Sequence, residues 1–135
     1  MKIQKPKILF VCIENAGRSQ MAEGFARKIA GKLVEPYSAG SQPSGKVNPL
    51  AIEVMKEKGI DISSHYSKGF NEVPVKEFDY VVTMGCGDVC PFVPGKYNLD
   101  WQIPNPKDQP IDYVRQVRDM IEKEVEKLLN EIYFE

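Results

Sequence analysis

The chain has 135 residues and a mass of 15.3 kDa, a size that favours one domain and is too small for two of ordinary length. Eighteen Lys and Arg residues against 19 Asp and Glu residues give a formal net charge of −1, so no charge excess indicates nucleic acid or a membrane surface as a partner. One histidine and three cysteines exclude a three-histidine zinc site, a four-cysteine cluster and a closed disulfide framework.

The chain has no apolar run near the roughly 18 residues that a membrane-spanning helix needs. The short run at residues 8–11 lacks the small-residue cleavage site of a signal peptide. We therefore expect a cytoplasmic protein, whose thiols stay reduced unless they cycle for a purpose. Because no linker or repeat divides the sequence, residues 1–135 are expected to form a single domain, and we expect a monomer.

Strand and helix patterns alternate along the first half of the chain. Residues 8–12 form an apolar run rich in β-formers, which predicts a strand buried on both faces. Apolar residues at helical spacing over 21–29 predict a helix that ends at Gly31. Residues 33–38 predict a second strand, and residues 50–55, after Asn48-Pro49 and before Gly59, predict a second helix.

The second half continues the alternation. Residues 78–84 predict a third strand, and residues 97–99 predict a short fourth one. Apolar residues recur at three- and four-residue steps from Val114 to Ile132, which predicts a long amphipathic helix. Such alternation predicts an α/β fold, a three-layer α/β/α sandwich whose parallel sheet binds ligands beyond the carboxyl ends of its strands. The cysteine-bearing loops after the first and third strands would lie on that one edge.

The loop after the first strand carries the strongest functional signal. Cys12 ends the strand, and Arg18 begins the helix after five intervening residues. Successive backbone N–H groups in such a turn form an anion-binding nest, the helix N-terminus adds partial positive charge, and a guanidinium suits a tetrahedral oxyanion. These features favour the thiolate form of Cys12 as a nucleophile that attacks a bound oxyanion. The predicted oxyanion-binding residues are Ile13, Glu14, Asn15, Ala16, Gly17, Arg18 and Ser19.

Ser19 can donate its hydroxyl to the thiolate, and Asn15 can brace the loop from within. In the alternative interpretation, Cys12 is a small buried hydrophobic residue and Arg18 forms a surface ion pair. The combination of a strand before, a helix after and Gly17 inside the loop favours the catalytic interpretation.

Residues 12–24 closely resemble the low molecular weight tyrosine phosphatase superfamily, in particular its thioredoxin-coupled arsenate reductase branch. The resemblance continues through residues 37–40, 47–49, 61–65 and 81–83 and covers essentially the whole chain. It implies a four-stranded parallel sheet of flavodoxin-like winding. It also implies arsenate or a phosphate-like oxyanion as substrate, thioredoxin as reductant and no cofactor.

Cys86 and Cys90 follow the third predicted strand, separated by Gly87, Asp88 and Val89. The residues alone leave open two reduced structural thiols, half of a metal site, or a redox pair. By resemblance, Cys12 is the nucleophile, Cys86 the first resolving thiol and Cys90 the second, with Arg18 as the fourth catalytic residue. The three-residue spacer is shorter than in characterised members, and some relatives use a small-molecule thiol as reductant.

The phosphatases of this superfamily carry an Asp-Pro general acid late in the chain. Asn105-Pro106 stands at the matching position, and an asparagine cannot supply a proton. This departure disfavours phosphatase chemistry and leaves Asn105 a role in orienting the oxyanion. A low molecular weight protein tyrosine phosphatase, and a non-catalytic oxyanion or redox sensor, remain the alternative functions.

Some of these reductases bind potassium beside the loop, and the matching positions are Asn15, Glu23 and Ser38. A fourth position, an acid in such members, falls on Lys68, whose ammonium could take the place of the cation and pair with Glu23. No required metal is therefore expected. His65, the single histidine, is expected to hydrogen-bond near Ser38 or Lys68 instead of acting as a base. The aromatic residues Phe92, Tyr97 and Trp101 are expected to serve packing.

Overall fold

A computed structural model describes residues 5–85 and 93–133, so Cys86, Cys90 and Phe92 lie outside the described residues. The described strands are β1 (Lys7–Cys12), β2 (Glu35–Gly40), β3 (Phe78–Thr83) and β4 (Gly95–Asp100). The described α-helices are α1 (Arg18–Ala30), α2 (Pro49–Lys56) and α3 (Ile111–Tyr133), and one turn of 3-10 helix spans Phe70–Glu72.

The strands form one parallel sheet in the order β2-β1-β3-β4. This arrangement confirms the predicted α/β class and the four-stranded parallel sheet. The winding reverses at β1, because β2 lies on one side of it and β3 on the other. Ligands of such sheets bind at the carboxyl ends beside this reversal, and Cys12 ends β1 there, opposite Gly40 of β2.

Strand β1 is buried on both faces, as its continuous apolar run predicts. Ile8, Phe10 and Cys12 point into the larger core, which α1, α2 and α3 share. Leu9 and Val11 point into a second apolar cluster on the opposite face. In the described part of the chain, that face is covered by the segment around the 3-10 turn, which contributes side chains such as Val73.

Helix α3 is amphipathic along its 23 residues. Its apolar stripe packs into the larger core and is made of Val114, Val117, Ile121, Val125, Leu128 and Leu129. None of the helices described here is both long and apolar enough to cross a membrane.

Two predicted boundaries differ from the structure. Strand β2 runs from Glu35 to Gly40, two residues later than predicted at each end, because the chain turns at Ala30, whose carbonyl accepts from the backbone of Leu33 and Val34. The turn leaves Leu33 54% exposed, and Ile29, predicted on the buried stripe, is 47% exposed. The tentative fourth strand is a full strand of six residues.

The aromatic residues that are described serve packing. Trp101 lies against Phe10 with ring centroids 5.9 Å apart, and the rings of Tyr97 and Tyr80 stack at 5.0 Å. Trp101 is almost fully buried, whereas Tyr97 is 54% exposed on the edge strand.

An ion-pair cluster joins the end of α2 to α3. Arg115 and Arg118 both donate to the carboxylate of Glu57, with contacts of 2.8 Å and 2.6 Å from their terminal nitrogens. Hydrogen bonds from Arg115 and then Arg118 lower the pKa of Glu57 from 4.5 to about 2. A carboxyl group whose pKa falls on folding stabilises the folded state above its unfolded pKa, and this contribution is lost as the pH falls through the folded pKa.

We therefore expect Glu57→Gln to lower the thermal unfolding midpoint at pH 7, and the difference from wild type to shrink between about pH 4.5 and pH 2. Calorimetric unfolding across this range measures the effect. Glu126→Gln, an exposed glutamate of α3, is the control. A deficit for Glu57→Gln that is constant with pH would contradict the assignment.

Candidate active site

The loop between β1 and α1, residues 13–17, turns each of its five carbonyls away from its centre. The first and fourth accept hydrogen bonds of 2.8 Å from the backbone N–H groups of Gln42 and Asn48. The second accepts from the hydroxyl of Ser67 at 2.6 Å and from the backbone of Ser44 at 3.2 Å. The third accepts from the side chain of Gln20, and the fifth from the backbone of Met21 in α1.

The peptide bonds of the described chain are all trans, and in a trans peptide the C=O and N–H groups point in opposite directions. The outward carbonyls therefore turn the N–H groups of residues 14–18 toward the centre of the loop. Concave backbone of this kind binds anions. Asn15 allows the tight turn with a left-handed φ of 53°, a conformation that asparagine tolerates better than most residues.

Helix α1 begins at this loop, and no side chain caps its N-terminus or balances the partial positive charge there. Its cap residue, Gly17, makes no side-chain capping bond, and the first turn contains no acidic residue. By contrast, the side chain of Asn48 caps α2 by accepting from Leu50 N at 2.9 Å. The partial positive charge at the start of α1 is thus left for a ligand.

Buried hydrogen bonds direct a proton donor at the sulfur of Cys12. The side-chain oxygen of Asn15 accepts from the backbone N–H of Lys68 at 3.0 Å, which fixes that atom as the acceptor. The amide nitrogen of Asn15 then donates to Ser19 Oγ at 2.7 Å. The Ser19 hydroxyl lies 2.9 Å from Cys12 Sγ and has its own proton available to donate to that sulfur.

Gln20 holds the loop to the segment at residues 65–68. Its side-chain nitrogen donates to the backbone carbonyls of Asn15 at 3.1 Å and Tyr66 at 2.9 Å, so its oxygen must face His65 Nδ1, 3.0 Å away. Nδ1 of His65 therefore carries a proton. Burial lowers the pKa of this histidine. Its hydrogen-bond partner is Gln20, and Lys68, near which the sequence placed this histidine, is close enough for its charge to act on the pKa of His65.

Glu23, Ser38 and Lys68 form a buried polar cluster under the loop. Glu23 accepts from Ser38 Oγ at 2.6 Å, and the Lys68 ammonium lies 3.8 Å from the same carboxylate. Lys68 also donates to Ser38 Oγ at 3.3 Å. Burial lowers the pKa of Lys68, and the charge of Glu23 opposes that shift. A lysine ammonium therefore lies among the predicted cation ligands Glu23 and Ser38, and its backbone N–H binds Asn15.

Arg18 is only 4% exposed and joins two other parts of the chain. Its Nη1 atom donates to the carbonyls of Met84, after β3, and Ile103, the latter at 3.0 Å. Burial lowers the pKa of Arg18, whereas the charges of Cys12 and Glu14 oppose that effect.

A cavity of about 330 Å³ opens above the loop. Cys12 and Arg18 line it together with Asn105 and Pro106, which come from the segment after β4. The Asn105 side-chain oxygen accepts from Lys107 N at 3.1 Å, which fixes the amide within a turn. The structure thus brings the predicted residues Cys12, Arg18 and Asn105 to one cavity, with Asn15, Ser19, Glu23 and Ser38 connected behind them.

Three supporting residues were missed by the sequence analysis: Gln20, Ser67 and Gly40. Gln20 is a fully buried polar residue inside an apolar helical stripe, and that anomaly could have drawn attention to it. Ser67 lies in irregular chain and gives no periodic signal. A Cβ on Gly40 would lie 2.6 Å from the Ile13 carbonyl oxygen, so only glycine lets β2 end against the loop.

The sequence pattern of the low molecular weight phosphotyrosine protein phosphatase family matches residues 7–135. The chain therefore belongs to this family. Arsenate reductase 2 of Staphylococcus haemolyticus is 41% identical over 128 residues, which cover 92% of this chain and 96% of that protein.

Two solved structures share the fold. One is an arsenate reductase in the phosphate binding state, with a TM-score of 0.85 and 36% identity over 96% of this chain and 99% of that one. The other is a thioredoxin-dependent arsenate reductase of Corynebacterium glutamicum, with a TM-score of 0.83 and 37% identity over 99% of this chain and 65% of that one.

The hydrogen bonds behind the thiol predict how fast Cys12 reacts. We expect Ser19→Ala to slow alkylation of Cys12 by iodoacetamide at pH 7 about tenfold, because a hydrogen bond to a charged group contributes roughly 1.5–3 kcal/mol. The measurement uses a Cys86→Ser/Cys90→Ser background, in which Cys12 is the only thiol. Ser63→Ala, in an exposed turn, is the control. An unchanged rate for Ser19→Ala would show that its hydroxyl does not stabilise the thiolate.

Proposed function

We propose that this protein is an arsenate reductase that uses Cys12, Cys86 and Cys90 in a disulfide relay and thioredoxin as reductant. The observation that carries the proposal is the loop after β1. Its inward N–H groups, the uncapped helix N-terminus and Arg18 surround a thiol that a serine hydroxyl contacts at 2.9 Å. The relatives named as arsenate reductases, one of them thioredoxin-dependent, agree with this chemistry.

In the first step, the Cys12 thiolate attacks the arsenic atom of arsenate bound in the loop. An As–S bond forms, and the bond from arsenic to one hydroxyl oxygen breaks; the leaving hydroxide takes a proton from solvent and departs as water. The loop N–H groups and Arg18 stabilise the negative charge of the remaining oxygens. When the As–S bond forms, the Cys12 sulfur loses its negative charge and its hydrogen bond with Ser19 weakens. Ser19 still accepts the hydrogen bond from Asn15.

In the second step, the Cys86 thiolate attacks the sulfur of Cys12. The As–S electron pair stays on arsenic, which is reduced from As(V) to As(III) and leaves as arsenite, and a Cys12–Cys86 disulfide forms. Cys90 then attacks Cys86, which frees the Cys12 thiolate and leaves a Cys86–Cys90 disulfide. The dithiol of thioredoxin reduces this disulfide and supplies the two electrons of the cycle.

The described chain supports a role for Cys86 through its neighbours. Met84 is held by Arg18, and a Cβ on Gly85 would lie 3.6 Å from Nη1 of that arginine. Gly85 has a left-handed φ of 78°, so the backbone turns beside the oxyanion loop immediately before Cys86. This placement supports Cys86 as the first resolving thiol.

The cavity also suits a reaction that needs no strong acid. Asn105 occupies the wall where a phosphatase needs an acid to protonate an alkoxide or phenolate. The oxygen lost from arsenate leaves as water and depends less on protonation by a general acid than an alkoxide or phenolate does. We assign Asn105 to orienting the oxyanion.

We also propose that the enzyme needs no prosthetic group and no metal. The Lys68 ammonium places a positive charge beside Glu23 and Ser38, Arg27 adds a second one 2.8 Å from Glu23, and the backbone N–H of Lys68 holds Asn15 in place. The reaction takes place in the cytosol, where thioredoxin is kept reduced.

Arsenate-dependent oxidation of reduced thioredoxin tests the proposal. We expect turnover by the wild type, and none by Cys12→Ser or Cys86→Ser, because each removes a thiol that the arsenic chemistry consumes. Cys90→Ser should complete at most one cycle, since its disulfide stays between Cys12 and Cys86. Mass spectrometry after one equivalent of arsenate should find a Cys86–Cys90 disulfide in the wild type.

If folded, reduced wild-type protein oxidises no thioredoxin, the assigned reductant is wrong. Parallel assays with glutathione and glutaredoxin then show whether the protein uses a different reductant or has no reductase activity. Continued turnover by Cys86→Ser would refute the relay.

Phosphatase activity is the second candidate function, favoured by the family of the chain and by the nucleophile and arginine in one cavity. If the missing acid limits it, Asn105→Asp should raise phenyl phosphate hydrolysis by about tenfold or more. The effect should be smaller with p-nitrophenyl phosphate, whose leaving group needs little protonation. Asn130→Asp, exposed on α3, is the control with the same charge change. Equal gains with both esters would argue against general-acid catalysis.

A further inference from the structure

An ion pair lies among the residues that line the active-site cavity. Lys107 Nζ lies 2.7 Å from a carboxylate oxygen of Glu14, and both residues line the cavity together with Cys12 and Arg18. Glu14 belongs to the oxyanion loop, whereas Lys107 follows Asn105-Pro106, 93 residues further along the chain. The pair therefore links the oxyanion loop to the segment after Asn105-Pro106, within the cavity that an oxyanion must enter.

The position of Glu14 presents an electrostatic problem for an anion site. Its carboxylate is two residues from the nucleophile, and its negative charge acts on Arg18, where it opposes the lowering of the pKa that burial causes. An unpaired carboxylate here would repel a dianion and compete with it for the guanidinium. Lys107 pairs with this charge, and Glu14 in turn raises the pKa of Lys107, so the ammonium stays protonated.

We propose that Lys107 is a positioning residue for oxyanion binding, which acts by neutralising Glu14 so that a tetrahedral dianion such as arsenate or phosphate can enter. The inference rests on the proposed function and deepens it, because it names the residue that sets the affinity for the substrate. Lys107 acts through Glu14 and is not itself an oxyanion ligand. The pair is partly exposed, with 56% and 30% of the two side chains accessible, so its effect must weaken as salt increases.

The other charged residues of the cavity do not replace this function. Asp108 adds a second negative charge to the lining of the cavity, and Lys46 adds a positive charge. Among the described residues, Lys46 makes no ion pair with a carboxylate, and Glu14 pairs with Lys107 alone. Removing Lys107 therefore leaves the charge of Glu14 uncompensated.

A double-mutant cycle on phosphate binding tests the inference. Isothermal titration calorimetry of the reduced protein gives the Kd of inorganic phosphate for wild type, Lys107→Gln, Glu14→Gln and the double variant. We expect Lys107→Gln to raise the Kd roughly fivefold at low salt, since a dianion then faces an extra full charge. Glu14→Gln should lower the Kd, since it removes a negative charge from the cavity and keeps the backbone N–H of the loop, and the double variant should return to within about twofold of wild type.

The matched control is Lys58→Gln, which breaks a similar exposed ion pair with Glu122, 3.2 Å long and away from the cavity. It should leave the phosphate Kd unchanged. Lys107→Arg keeps the charge and should bind phosphate like wild type. Raising the salt concentration should shrink the defect of Lys107→Gln, whereas a purely structural defect would persist.

A double variant that binds phosphate as weakly as Lys107→Gln would overturn the inference, because Lys107 would then contact the anion or only support the fold. An unchanged Kd in Lys107→Gln, or no phosphate binding by the wild type, would overturn it as well. Thermal unfolding of each variant shows whether it is folded. If Lys107→Gln does not fold, the phosphate Kd of Glu14→Gln still tests the ion pair. Phosphate binding does not depend on arsenate reduction. If the four Kd values follow the expected pattern but the protein does not reduce arsenate, the proposed function is refuted and this inference stands. If the protein reduces arsenate but all four proteins bind phosphate with the same Kd, this inference is refuted and the proposed function stands.

Discussion

The outward direction of five consecutive carbonyls is the constraint on which the site depends. Backbone amides can surround an anion only if their own carbonyls find donors elsewhere, because an unsatisfied buried carbonyl costs free energy comparable to a lost hydrogen bond. Here the donors come from the chain after β2, from Ser67, from Gln20 and from α1. The end of β2, the segment at residues 65–68 and the first turn of α1 therefore act together to hold the loop in the shape that binds an anion.

Two kinds of interaction serve the site in different ways. Behind the loop, hydrogen bonds among buried groups such as Asn15, Ser19 and Gln20 set geometry and are shielded from solvent. Among the residues that line the cavity, exposed charges set the local potential and respond to salt. The formal net charge of −1 is compatible with anion binding because the loop, the helix N-terminus and Arg18 act over short distances.

Features that depend on neighbouring residues, such as the strands, helices and the loop, could be predicted from the sequence. Features that depend on contacts between distant residues could not. The apolar run of β1 and the spacing of Cys12, Gly17 and Arg18 predicted a buried strand, a tight loop and a helix, because each depends on neighbouring residues. The start of β2 was misplaced, since Leu33 is apolar yet lies exposed in a turn that no periodicity marks. The partners of Arg18 could not be predicted, because they are 66 and 85 residues away.

The sharing of the Arg18 guanidinium limits which residues can stand at this position. One nitrogen already donates to the carbonyls of Met84 and Ile103, so the remaining donors of the planar group are what the cavity can offer an anion. A lysine has a single nitrogen at its tip and could not hold two chain segments and a ligand in fixed directions. Replacing this arginine by another cation would thus preserve the charge and lose the architecture, which makes the position intolerant of a substitution that is conservative elsewhere.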